Sequence, residues 1–383
     1  MRLAIVRQRY NPYGGAERFL ENALTGLGRE SLEVTMIARD WPMQSQSAYQ
    51  RIMVKTFSIG RTWRDAAFAK AACAAVVKGK FDLVQSHERL VCCDIFRAGD
   101  GVHREWLIQR ARLRGGISIL FDNMSMFHRR ILSAERNMFA SPRLKAVICN
   151  SSMVKNEIIQ HYNVVPERLI VIPNAVNAEK FHPGLRSIYR AEMRARLGLS
   201  DSQPVFLFVG SGFERKGINL LLDIWPKIDA TLIVVGHDRE LKRYRQQAAA
   251  LGKKIYFAGP QLDVKPWYGM ADVFVLPTLY DPLPNAALEA LACGLPTLTS
   301  TKSGAAEWIK MGVTGDVADA FDKDTWVNLL IKWSDLNRCR VASSDAVLTM
   351  QQLSPMAMQD KFRELYKNIL NSYSNFVEKN HLY

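Results

Sequence analysis

Two carboxylates, Asp281 and Glu289, lie in the stretch Tyr280-Asp281-Pro282-Leu283-Pro284-Asn285-Ala286-Ala287-Leu288-Glu289-Ala290-Leu291-Ala292-Cys293-Gly294-Leu295-Pro296. An apolar run at 273–276 precedes this stretch and a short one at 297–299 follows it. The two prolines fix the entry turn, Asn285 is suited to cap a helix, and Gly294 with Pro296 ends that helix. Asp281 is therefore expected in a loop after a strand, and Glu289 about one turn inside the next helix, with both bordering one crevice. The helix-start amides of Ala286, Ala287 and Leu288 are expected to point into that crevice, where an anion would be favoured. Taken alone, the stretch reads equally as an ordinary βαβ unit with Asp281 in a turn and Glu289 on a solvated face.

A basic cluster sits upstream. Gly210-Ser211-Gly212-Phe213-Glu214-Arg215-Lys216-Gly217 separates an apolar strand at 204–210 from a helix at 218–225. Arg215 can fork onto phosphate oxygens, and Lys216 supplies a compact charge. The Gly-Lys-Ser/Thr of a nucleotide-triphosphate loop is missing. A diphosphate pocket and a solvated charged loop both fit these residues. Near the start, Tyr13-Gly14-Gly15-Ala16-Glu17-Arg18 also joins a strand to an amphipathic helix. The glycine pair would let backbone pass close to a ligand, but it is not the G-x-G-x-x-G of dinucleotide sites. Asp100 and His103 fall beyond the carboxyl end of another strand, where open α/β sheets keep their sites; a cap or a solvated residue is the plain alternative.

The elements that must hold these residues alternate. Strands are expected at 3–6, 33–38, 52–57, 81–87, 94–103, 145–149 and 168–173, then at 204–210, 231–236, 254–258, 273–276 and 296–299, with helices between. Such alternation predicts parallel, doubly wound sheets, two of them enclosing a cleft. Helices at about 322–335, 339–351 and 356–376 close the chain. Asp322-Lys323-Asp324 has the form of a metal-binding Asp-x-Asp, but it stands at a helix start and reads as a cap.

The chain has 383 residues, more than one core usually takes, which points to two domains. No apolar run approaches the roughly 18 residues of a spanning helix, and Arg7 interrupts the first one too early for a signal peptide. Cysteines 73, 92, 93, 149, 293 and 339 include no CxxC pair, which suits a reducing cytoplasm and argues against a zinc site. The net charge of +14 is uneven. Residues 1–175 hold 26 Lys/Arg and 15 Asp/Glu, net +11, whereas 176–383 hold 25 and 22, net +3. The first half thus faces an anionic partner: nucleic acid, a membrane surface or a phosphorylated substrate. Within it, four arginines are interleaved with Trp106 and Leu107 in 103–114, and a helix after Gly115-Gly116 carries Phe121, Met124, Phe127, Ile131 and Leu132 beside Arg129, Arg130 and Arg136. An anionic membrane surface and a solvated face over a normal core fit this pattern equally.

Phe-Glu-Arg-Lys-Gly, the acid-x7-Glu stretch ending in Glu-Ala-Leu-Ala-Cys-Gly-Leu-Pro, and the early Tyr-Gly-Gly-Ala-Glu-Arg together resemble the family-4 retaining glycosyltransferases of the GT-B fold, most of all the lipopolysaccharide core glucosyltransferase I group. The resemblance covers nearly the whole chain. It implies two Rossmann-like parallel-sheet domains facing a cleft: an acceptor-binding domain at 1–172, a nucleotide-sugar-binding domain at 173–357, and a helix at 358–383 crossing back onto the first. Arg215 and Lys216 would hold the pyrophosphate and Glu289 the ribose hydroxyls. Asp281 would face the donor sugar. The amides of Leu283, Asn285 and Ala286 would lie near the β-phosphate, and Pro260 by the base. Gly14 and Gly15 would close the site, and Asp100 with His103 would stand beside the reacting sugar. Here Asp281 replaces the commoner first glutamate of the motif, and Ser211-Gly212 stands where many members carry an arginine.

The resemblance further implies transfer of a hexose, glucose foremost, from a UDP-sugar to a lipopolysaccharide core or related phosphorylated glycolipid. No divalent metal, nucleic acid or transmembrane segment is implied, and the location would be the cytoplasmic face of an anionic inner membrane. No enzyme nucleophile is evident, so a front-side displacement through an oxocarbenium-like transition state is expected. A nucleotide-sugar epimerase of the same fold and a basic nucleic-acid binder are the rival readings; no recognition helix or zinc module favours the latter.

Overall fold

The computed structural model describes residues 1–9, 33–41, 49–56, 60–114, 125–252 and 254–380. The chain divides into two compact units, Met1–Ala175 with Pro355–Tyr383, and Val176–Ser354. Gly14 and Gly15 lie outside the described residues.

The first unit contains β1 (Arg2–Val6), β2 (Glu33–Ala38), β3 (Gln50–Met53), α1 (Arg61–Gly79), β4 (Leu83–Ser86), β5 (Ile95–Arg97), α2 (His103–Arg114), α3 (Met126–Phe139), β6 (Ala146–Cys149), α4 (Ser152–Tyr162) and β7 (Leu169–Val171). Its described strands are all parallel, in the order β3-β2-β1-β4-β5-β6-β7. Leu3 of β1 stands opposite both Val34 and Leu83. Successive side chains of a strand point to opposite faces, so a strand covered on both faces is apolar throughout. In β1, Ala4 and Val6 pack with Phe68, Ala72 and Val76 of α1. Leu3 and Ile5 pack on the other face with Met358, Phe362, Leu365 and Tyr366, which come from the chain's last helix.

The second unit contains α5 (Leu185–Arg196), β8 (Val205–Val209), α6 (Phe213–Lys216), α7 (Ile218–Ile224), β9 (Thr231–Val235), α8 (Leu241–Ala250), β10 (Ile255–Gly259), α9 (Lys265–Met270), β11 (Val273–Leu276), α10 (Asn285–Ala292), β12 (Thr297–Ser300), β13 (Gly315–Ala318), α11 (Lys323–Lys332) and α12 (Leu336–Met350). The last helix, α13 (Pro355–Asn380), belongs to the first unit. The second sheet is again parallel, in the order β10-β9-β8-β11-β12-β13. In both sheets the strand order reverses beside the first strand, the place where such folds bind ligands at the carboxyl edge. Both are the doubly wound sheets that the β/α alternation predicts.

Several local expectations change. Strand β13 was not anticipated, because Asp316 breaks its apolar pattern. The carboxylate is buried but takes Trp333 Nε1 at 2.7 Å and Lys332 Nζ at 2.6 Å. The cysteines are not all free: Cys73 of α1 is bonded to Cys92, 19 residues on. Their pairing is tertiary, so no CxxC spacing announces it. Such bonds are uncommon in a reducing compartment. The other four are buried, and burial pushes the thiols of Cys93, Cys149 and Cys339 up to about 12. Asp322 caps α11, its carboxylate accepting from Thr325 N at 3.1 Å, as its place at a helix start predicts.

At the amino edge of the second sheet, Asp272 holds three elements together. Its carboxylate receives Arg194 Nη2 at 2.5 Å, Arg190 Nη1 at 2.9 Å, Arg186 Nη2 at 3.2 Å and the amide of Val205 at 3.0 Å. Arg194, itself buried, also donates to the carbonyls of Met270, Ser200 and Gln203. Removing one partner from such a buried network strands the others. Asp272→Ala is expected to cost about 3–5 kcal/mol, read as a lower denaturation midpoint in the fluorescence of buried Trp225, Trp326 and Trp333. An unchanged midpoint would show that the arginines do not depend on it.

Candidate active site

In the second unit, β8 leads into Gly210-Ser211-Gly212, the short helix α6, and Gly217 before α7. Gly217 has φ +84°, and a Cβ there would sit 2.0 Å from the carbonyl oxygen of Pro277. Only glycine lets this turn press against the end of β11. The contact is tied from both sides. The carbonyl of Arg215 accepts from the amide of Leu279 at 2.8 Å and from Thr278 Oγ1 at 3.1 Å, and Arg215 Nη1 donates to the carbonyl of Tyr280 at 2.8 Å. Asp238, in the loop after β9, accepts from the first amide of α6 at 2.7 Å. Arg215 and Lys216 are thereby presented to the loop that carries Asp281.

The structure brings those three residues together. The Lys216 ammonium donates directly to Asp281 Oδ2, and Arg215 Nη1 lies 3.7 Å from the same oxygen. Lys216 and Asp281 are buried, while the Arg215 side chain is 37% exposed. Burial pushes the Lys216 ammonium below its usual range, and the Asp281 carboxylate opposes that shift. Asp281 is also strapped by its backbone to the loop after β12: its amide donates to Lys302 O, and its carbonyl accepts from Gly304 N, both at 2.9 Å. A fixed carboxylate beside one buried and one half-exposed cation at a helix-rich edge can bind a phosphate on the cations and a hydroxyl on the acid.

Glu289 and the start of α10 lie alongside. Pro284, not Asn285, occupies the capping position, and Asn285 is the first helical residue. The reason is the Pro284 carbonyl, which takes the amides of Ala287 at 3.1 Å and Leu288 at 3.5 Å. These two amides are therefore already engaged, contrary to the expectation from sequence. Asn285 and Ala286 make up the first two helical positions, with buried Leu283 just before them. Glu289 is buried, and Tyr268 of α9 donates to its Oε2 at 2.9 Å. Tyr268 was not found from the sequence, since nothing in its spacing links it to Glu289. Pro260 stands exposed at the end of β10, two strands away from β8 along the same carboxyl edge.

In the first unit, Asp100 follows β5 and is 62% exposed, with Arg7 Nη1 3.7 Å away. The same guanidinium lies 3.5 Å from Glu88. His103 opens α2. Its amide donates to Glu135 Oε1 at 2.9 Å, and its Nε2 lies 3.0 Å from His128 Nδ1. Burial, followed by the charge of Arg89, pushes the His103 imidazole down to about 4, so it is neutral near pH 7. His87 is also neutral, chiefly through burial and then through Arg97 and Arg7. On the outside of this unit, Met126 and Trp63 are largely exposed, and Arg130 stacks over the Trp63 ring at 4.3 Å. Ile108 and Leu113 of α2 are also exposed beside its arginines.

Comparison with known proteins places these features. Residues 13–180 match the family described as Glycosyltransferase Family 4, and residues 189–345 match Glycosyl transferases group 1. The chain is 23% identical over 345 residues to the lipopolysaccharide glucosyltransferase WaaG of Escherichia coli K12, covering 87% of this chain and 89% of that one. It is 27% identical over 241 residues to an Escherichia coli UDP-Gal:alpha-D-GlcNAc-diphosphoundecaprenol alpha-1,3-galactosyltransferase, covering 60% of this chain and 62% of the other. A crystal structure of WaaG superposes with a TM-score of 0.81 at 22% identity, covering 95% of this chain and 99% of that chain. The two sheets, their switch points and the two matched domains together show that the chain belongs to the GT-B glycosyltransferases of the family-4 and group-1 type.

Proposed function

We propose that the protein is a retaining hexosyltransferase that moves a hexose, glucose foremost, from a UDP-sugar to a lipopolysaccharide core or related phosphorylated glycolipid, without a divalent metal. The observation that carries this reading is the convergence of Arg215, Lys216 and Asp281 at the switch point of the second sheet. A nucleoside diphosphate leaves only if its growing charge is met. Arg215 and Lys216 would meet it together with the amides at the start of α10, the diphosphate taking over from Asp281 the role of their counter-ion. Asp281, relieved of the cations, would accept from hydroxyls of the donor sugar. Glu289, steadied by Tyr268, would accept from the ribose, and Pro260 would border the base. Asp100 and His103 are the proposed polar partners of the transferred sugar, and front-side displacement accounts for retention without an enzyme nucleophile.

Two relatives support the substrate classes: one is named a lipopolysaccharide glucosyltransferase, the other for a UDP-sugar donor and a diphosphate-lipid acceptor. The basic first half and the exposed Met126, Trp63 and Ile108 among arginines fit a phosphorylated acceptor at an anionic bilayer, and so a location on the inner face of the cytoplasmic membrane. No described helix is long and apolar enough to cross a membrane. The Cys73–Cys92 bond is the one observation that pulls against a reducing compartment.

Calorimetric titration with UDP in the presence of EDTA is expected to give micromolar binding, weakened at least about tenfold in Glu289→Ala, because a hydrogen bond to a charged group contributes about 1.5–3 kcal/mol. Binding that needs Mg²⁺, or is unchanged in the variant, would overturn this donor site. Co-sedimentation with anionic vesicles is expected at low salt and lost at high salt; protein that stays in solution under both conditions would refute the membrane assignment. Because His103 is held neutral down to about pH 4, kcat is expected to stay level as the pH falls from 7.5 to 5.5 through the ordinary histidine value of 6.5. A drop centred near 6.5 would contradict a buried neutral ring.

A further inference from the structure

His103 is held from two directions by one face of α3. His128 and Glu135 stand two turns apart on that helix and therefore project from the same side. Glu135 is 2% exposed. Its Oε1 accepts from the His103 amide at 2.9 Å and from Arg89 Nε at 2.8 Å, and its Oε2 accepts from the Tyr162 hydroxyl at 2.5 Å. The first amides of a helix have no partner within it, and the side chain of the residue just before normally caps one of them. Here Gly101 and Val102 precede α2 and have no side-chain oxygen to offer. The cap comes instead from a carboxylate 32 residues away, which also ties down the segment after β4 and the end of α4. Burying a carboxylate is costly where an apolar side chain would fill the same space.

The ring is fixed as tightly as the backbone. Arg110 Nη1 lies 3.1 Å from His128 Nε2. A guanidinium can only donate, so His128 Nε2 is the acceptor and Nδ1 carries the hydrogen. That Nδ1–H donates to His103 Nε2 at 3.0 Å. His103 Nε2 is then an acceptor, and the neutral ring carries its hydrogen on Nδ1. The direction of this chain is set at its far end, by the permanent charge of Arg110.

We infer that Glu135 and His128 are positioning residues for His103, Glu135 fixing its main chain at the start of α2 and the Arg110–His128 pair fixing its tautomer so that Nδ1–H is the donor it offers. The inference rests on the reading of His103 as a partner of the transferred sugar only for its effect on rate; the tautomer stands on the hydrogen bonds alone.

Two measurements test it. In protein labelled with ¹⁵N-histidine, His103, assigned by its loss in His103→Ala, is expected to show the Nδ1–H tautomer, and His128→Leu is expected to abolish that preference. An Nε2–H ring, or an unchanged ring in His128→Leu, would overturn the inference whatever the enzyme transfers. For rate, UDP-glucose turnover on lipopolysaccharide stripped of its outer sugars is compared for Glu135→Gln, His128→Leu, His103→Ala and the two double variants. Each positioning variant is expected to lower kcat about 10- to 100-fold with UDP affinity unchanged, and to have no further effect, within about twofold, in the His103→Ala background. Losses that multiply in that background would overturn the positioning role while leaving the His103 reading intact. A silent His103→Ala would instead sink the reading of His103 itself, with the tautomer measurement still deciding the rest. If Glu135→Gln does not fold, His128→Leu carries both measurements.

Discussion

The site in the second unit depends on the ion pair between Lys216 and Asp281. Two charges taken out of water are stable together only when geometry and further hydrogen bonds compensate the lost hydration. Here the compensation is structural. Gly217 lets α6 press on the end of β11, the Arg215 carbonyl takes two donors from that loop, and the backbone of Asp281 is paired on both sides with the loop after β12. Three loops at one sheet edge are thus locked before any ligand arrives. Cations already fixed in place do not have to reorganise when negative charge develops beside them.

Asp272 offers an instructive contrast at the opposite edge of the same sheet. It too gathers cations, but its partners are held by helix α5, and Arg194 is as buried as the acid itself. Arg194 also holds three backbone carbonyls, so the cluster acts as a clasp. Around Asp281, one guanidinium remains 37% exposed. The Arg186 side chain beside Asp272 is exposed to the same degree, 40%, so it is place that separates the two clusters: one stands at the amino edge of the sheet, the other at the carboxyl edge, where such folds bind ligands.

The first unit uses a buried carboxylate in a third way. Helix α3 turns Glu135, His128 and the buried Met138 inward, and leaves Met126 and Arg130 on the outside with Trp63. A sequence in which basic and apolar residues are mixed along such a helix reads equally as a membrane face or as an ordinary core face. The structure shows one helix doing inward and outward work at once, which is why periodicity alone left both readings open.

Much of the fold was legible because its signals are local. Uniformly apolar strands alternating with helices demand sheets covered on both faces, and glycines or prolines at strand ends mark the loops that such sheets turn toward ligands. The order of Arg215-Lys216, Asp281 and Glu289 along the chain was therefore enough to place all of them at one carboxyl edge. Strand β13, the Cys73–Cys92 bond, the clasp at Asp272, Tyr268 beneath Glu289 and the hold of Glu135 on His103 were not legible. Each joins residues whose partners lie far along the chain or on another element, and all but the disulfide concern a polar group whose burial is decided by its neighbours. Even the capping of α10 passed from Asn285 to Pro284 because backbone geometry there selected which carbonyl the helix uses. Local chemistry in the sequence determined which elements form and which loops carry charge; only the tertiary structure decided which charges meet, since the free energy of a buried polar group depends on partners that no single stretch of sequence contains.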